Sequence, residues 1–86
     1  MKAPALTVSV LNVKQATKSL SYNGMLVQLI VYDVEGRDES GNLHSFESND
    51  RLNVGDELEF VPRTWRDFFY EGPIITVDGK VYRMKN

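Results

Sequence analysis

The chain has 86 residues, a formal net charge of -2, 42% hydrophobic residues and 26% charged ones, a composition that points to one soluble folded domain over residues 1–86 and away from a disordered chain. It contains no cysteine, which excludes a disulfide framework and any thiolate metal site. A chain this short hides only about 60 to 65% of its unfolded surface on folding, so self-association is expected, with a homodimer favoured.

The charge is unevenly placed. Residues 1–24 carry Lys2, Lys14 and Lys18 with no acid, a local charge of +3. Residues 25–61 carry nine acids against Arg37 and Arg51, a local charge of -7. Residues 62–86 return to +2 through Arg63, Arg66, Lys80, Arg83 and Lys85. A fold that joins the two ends of the chain makes one basic and one acidic face, or the charges simply keep a small domain solvated. Residues 1–13 lack the basic start, apolar core and cleavage site of a signal peptide, and the apolar run Met25–Tyr32 is too short for a membrane span. The expected location is cytoplasmic, without membrane contact.

Leu6, Val8 and Val10 alternate at period two, and then Leu11 and Val13 shift phase, which predicts a strand with a bulge near Val10 and Leu11. Lys14 to Leu20 is polar and can continue that strand. Asn23-Gly24 is a strong hairpin signal. From Met25 to Glu35 both parities are apolar, which predicts a central strand covered on both faces. A polar turn-rich stretch, Gly36 to Asn42, leads to a third strand over Leu43 to Ser48. Val54-Gly55-Asp56-Glu57 leads to a fourth strand, where Leu58 and Phe60 alternate with Glu57 and Glu59, and Pro62 closes it. Asp78-Gly79 sets a final hairpin between Pro73 to Val77 and Val81 to Met84. No long helical period occurs, although Thr64 to Tyr70 can form one turn capped by Thr64. Short strands at this spacing predict an all-β fold, a small closed or partly open antiparallel barrel that is OB-like, with an SH3-like barrel as the alternative.

Catalysis has little support. The only histidine, His44, lies in a predicted strand with no nucleophile and orienting acid at recognisable spacing. Asp33, Glu35, Asp38 and Glu39 flank a loop, but not at the alternating positions of a calcium site. No enzyme activity, metal or cofactor is expected. Nucleic-acid binding has more support, because single strands are held by cations along the backbone and by aromatic faces on which bases stack. Lys14, Lys18 and Tyr22 belong to the first hairpin. Arg63, Trp65, Arg66, Phe68, Phe69 and Tyr70 crowd into one connection, and Arg83 and Lys85 stand near the end of the chain. The competing reading makes the rings core or interface residues and pairs the arginines with Asp67 and Glu71. A second class of function uses the acidic half to dock a basic protein partner or to mimic nucleic acid toward one.

Tyr22-Asn23-Gly24 at the tip of the first hairpin and Val54-Gly55-Asp56-Glu57-Leu58 before the fourth strand, in a chain of this length and layout, resemble the small OB-fold single-stranded-DNA-binding proteins of filamentous bacteriophages. The resemblance lies in layout over most of the chain. It implies a DNA-binding wing at the first hairpin and a homodimer that coats single-stranded DNA or RNA cooperatively. The charge of -7 in the middle of this chain departs from that pattern, because it repels a phosphate backbone.

Overall fold

The computed structural model describes residues 5–85. β1 (Leu6–Tyr22) and β2 (Met25–Asp38) form a long antiparallel ribbon around Asn23-Gly24. Both turn residues have positive φ, 51° and 76°, the mirror-image turn whose twist suits a hairpin and which asparagine and glycine tolerate best. β3 (Leu43–Ser48) pairs with β2, and β4 (Glu57–Pro62) crosses over to pair with the other side of β1. β5 (Ile74–Val77) and β6 (Lys80–Met84) close the chain through Asp78-Gly79, again with positive φ at both positions. The sheet runs β3-β2-β1-β4-β6-β5, and β5 lies against β3, so the barrel is nearly closed. Sharing β1 between β2 and β4 is the Greek-key arrangement of a small OB-like barrel.

Val8, Val10, Val34, Phe46, Phe60, Ile75 and Tyr82 make the core. They alternate with outward residues such as Glu35, Glu47 and Glu59, as period two requires. Phe46 and Phe60 meet edge to face at 5.4 Å, a favoured aromatic geometry. The bulge lies where the phase shift puts it, at Leu11, between the pairs Val10 with Gly36 and Asn12 with Glu35. It turns Val10 toward the segment before β4: the Val10 N–H donates to Asp56 O at 2.8 Å, and Val10 O accepts from Gly55 N–H at 2.9 Å. The bulge and Val54-Gly55-Asp56 therefore form one clasp. Gly36 belongs to β2 rather than to a turn, and a side chain on it would run into Val8 and the Ser9 carbonyl.

One expectation is corrected. The run Met25 to Glu35 is not covered on both faces. β3 pairs with β2 only from Tyr32 to Arg37, so among the described residues Met25 to Ile30 have β1 as their sole strand neighbour, and all are exposed. The two-sided apolar pattern marks a two-stranded wing open on both faces instead of a buried strand. The wing gives the molecule its elongated outline of 48 × 30 × 21 Å.

Candidate nucleic-acid interface

The aromatic connection between β4 and β5 is an exposed hook. Thr64 caps a single 3₁₀ turn, Trp65–Asp67: the Thr64 N–H donates to Asp67 Oδ2 at 2.8 Å, and Arg66 N–H donates to Thr64 Oγ1 at 3.3 Å. This reciprocal cap satisfies the donors at the start of the turn. The turn has no buried residue. Trp65, Phe68 and Phe69 are 83%, 75% and 88% exposed. The Arg66 guanidinium lies 5.4 Å from the Trp65 ring centre, within cation–π range, and Phe68 and Phe69 touch edge to face at 5.0 Å. Arg63 is exposed at the start of the hook.

Tyr70 and Arg83 do different work. The Tyr70 ring is half-buried, and its hydroxyl sits between the Pro73 carbonyl at 3.0 Å and the Met84 carbonyl at 3.3 Å. Burial raises the Tyr70 pKa above its usual 10.0, partly offset by the Met84 contact. Arg83 packs over this ring, with its guanidinium carbon 5.6 Å from the centre. Its Nε is 2.8 Å from Asp67 Oδ1 but is not aligned for a hydrogen bond, so the contact is an ion pair. The Thr64 N–H, and then Arg83, hold the Asp67 carboxyl below its usual 3.8 against some desolvation. These two residues therefore anchor the hook to the barrel, while Trp65, Phe68 and Phe69 face outward. Lys85 lies 3.8 Å from Glu59.

On the wing, Lys14, Lys18 and Tyr22 share one face, four residues apart, and Tyr22 is 70% exposed at the tip. That face is not purely basic. Asp33 pairs with Lys14 across β1 and β2 and with Glu47 across β2 and β3. Like charges placed opposite one another repel, and Lys18 Nζ, 3.5 Å from Glu47 Oε1, relieves this. The opposite face of the wing carries Gln15, Thr17, Ser19 and Ser21 against Tyr32, Ile30, Gln28 and Leu26, without a charge. The hook and the wing root approach one another through the loop after β3: Glu71, Gly72 and Pro73 share a small cleft with Ser48, Asn49 and Asp50, and Ser48 pairs with Tyr32.

His44 belongs to a structural cluster. Its Nε2 lies 2.8 Å from Asp38 Oδ2, with both side chains nearly buried. The other oxygen of Asp38 accepts from Ser40 N–H at 2.9 Å and Asn42 N–H at 3.0 Å. The His44 hydrogen bond, followed by these backbone donors, lowers the Asp38 pKa below 3.8 although burial opposes it. Asp38 thus organises the turn from β2 into β3. Among the described residues no three His, Cys, Asp or Glu converge as a metal site, and no helix is long and apolar enough to cross a membrane.

Comparison of the chain with protein-family models, with curated proteins and with solved structures finds no match in any of the three. Residues that the sequence pattern passed over, Gln15, Tyr32, Arg51 and Asn53, come together at the wing root. They lie far apart in sequence, and only the strand register and the Val10 clasp bring them to one place.

Proposed function

We propose that this protein is a non-catalytic module that binds single-stranded nucleic acid through the basic and aromatic surface formed by the hook and the wing. The observation that carries this reading is the exposure of Trp65, Phe68 and Phe69 beside exposed Arg63 and Arg66. Rings left outside the core, with cations between them, suit bases that stack and a backbone that is neutralised. The resemblance to the small OB-fold single-stranded-DNA-binding proteins of filamentous bacteriophages points the same way, and it would give the exposed wing tip at Tyr22-Asn23-Gly24 the role of a DNA-binding wing. His44, held against Asp38, leaves no exposed histidine for acid–base work. The exposed apolar residues of the wing, among them Met25, Leu26 and Ile30, favour self-association as a homodimer, which sedimentation at micromolar concentration tests.

The experiment is a titration of tryptophan emission with a thymidine oligomer at several salt concentrations. Binding should quench Trp65, and Trp65→Ala should weaken it by about 1 to 3 kcal/mol with an unchanged melting temperature. Arg66→Ala should lower the salt slope by about one unit or less. If the protein binds no single-stranded oligonucleotide at low salt, the reading falls. The exposed acids Glu35, Glu47, Glu57 and Glu59 would then be tested as a docking face for a basic protein.

A further inference from the structure

Two clefts flank the wing root, and their charges decide which one suits a nucleotide. The larger, about 410 Å³, places Asp33 and Glu35 against the single cation Lys14, and its two carboxylates repel phosphate. The second, about 330 Å³, lies between the wing root and the loop before β4, within the size of small-ligand sites. Its floor is apolar, from Val13 and Leu52, both packed against the core. One wall is the cross-strand pair Gln15 and Tyr32. The other wall brings Arg51 and Asn53, and no acid lines the cleft. Among the described residues the side chains of Gln15, Tyr32, Arg51 and Asn53 make no hydrogen bond or ion pair with the protein. The loop wall is nonetheless held in place: Asn53 N–H donates to Asp56 Oδ2 at 2.9 Å, Asp56 N–H to Asn53 O at 3.0 Å, and the Val10 clasp ties Gly55 and Asp56 to β1.

We propose that this cleft is a nucleotide subsite, seating one unstacked base against Tyr32, its edge on the Gln15 and Asn53 amides and its phosphate on Arg51. The proposal rests on the single-strand-binding reading above and gives it a path. The strand passes from the hook along the loop Asn49–Asn53 into the cleft and onto the uncharged face of the wing. At the hook this path crosses the small cleft lined by Glu47, Asp50 and Glu71, and on the wing it avoids the face of Asp33 and Glu35. An arginine free of an acidic partner is a phosphate contact that costs no existing ion pair, and side-chain amides offer donors and acceptors for a base edge.

The test uses the intact protein and thymidine and cytidine oligomers of one length. Arg51→Ala should weaken binding of both by roughly tenfold and lower the salt slope by about 0.7 to 1 unit. Gln15→Ala should leave the salt slope alone and change the ratio of the two affinities severalfold. Both residues are exposed, so each variant should melt with the parent. The side-chain amide resonances of Gln15 and Asn53 should shift on binding. If the parent binds, Trp65→Ala weakens it, and Arg51→Ala and Gln15→Ala bind as the parent does, the subsite is overturned while the single-strand reading stands. If the parent binds neither oligomer, both fall.

Discussion

The two halves of β2 differ in the direction opposite to their composition. Met25 to Val31 contains six apolar residues and one glutamine, yet only Val31 is buried and Leu26 is 81% exposed. Tyr32 to Asp38 contains four charged residues, yet Val34, Gly36 and Asp38 are buried. The difference is the third strand. β3 pairs with the second half and not with the first, so the second half is enclosed in a barrel while the first has, among the described residues, only its hairpin partner. An isolated two-stranded ribbon is marginal in water. Neighbours, more than hydropathy, decide which half carries stability, and the apolar half is left free for contact with something else.

The largest expected effect lies at the centre of the enclosed half. Phe60→Ala removes a ring with no exposure that packs on Phe46, and should cost about 3 to 5 kcal/mol in a urea melt. A cost below about 1 kcal/mol would mean that the barrel is not where stability resides.

Asp38→Ala comes next, at about 1 to 3 kcal/mol, because it leaves the His44 ring and two backbone N–H groups without their acceptor. Its pH dependence has a definite sign. The folded carboxyl titrates below 3.8, so its contribution is fully present above the unfolded value and is lost as the pH falls through the lowered folded value. Acid melts of the parent should therefore show a loss below about pH 4 that is smaller in Asp38→Ala. Equal acid sensitivity of the two proteins would remove Asp38 as its source.

Tyr70→Phe is a smaller step. It deletes the hydroxyl held between the Pro73 and Met84 carbonyls, at about 0.5 to 1.5 kcal/mol, and should leave oligonucleotide binding intact. A variant that melts with the parent but binds poorly would make Tyr70 a contact residue instead of an anchor. The smallest effect is expected on the open half, where Leu26→Ser should change stability by no more than about 0.5 kcal/mol at protein concentrations too low for self-association. A cost above about 2 kcal/mol, growing with protein concentration, would show that a second copy covers the wing.

Local chemistry was legible in the sequence. Asn23-Gly24 and Asp78-Gly79 announce their turns because both residues tolerate positive φ, the phase shift at Leu11 announces the bulge, and Thr64 announces the cap of the hook. What depends on the length of a distant partner was not legible. The period of Met25 to Glu35 is the same whether β3 runs beside six residues or twelve, so its cover was misjudged. The Asp38 and His44 pair needs the β2–β3 register, although an aspartate followed by Ser40, Gly41 and Asn42 is a turn signal that hints at its role. Of the residues expected in the site, Trp65, Phe68 and Phe69 stand outward, as the crowding of four rings into one short connection suggests. That Tyr70 turns inward, and that Lys18 meets Glu47, follows from strands that close only in three dimensions.

The open edge of β2 has a further consequence for the protein in concentrated solution. From Met25 to Tyr32 the chain has no charge and no proline, and over much of that length its outer edge has no neighbouring strand among the described residues. Such a segment is a template for intermolecular sheet growth. Between Leu11 and Tyr32 the only charges are Lys14 and Lys18, both on the adjacent strand, and they act as gatekeepers against stacking. Neutralising them should turn the wing into the nucleus of fibrous aggregates, and any molecule that occupies the wing should delay that growth.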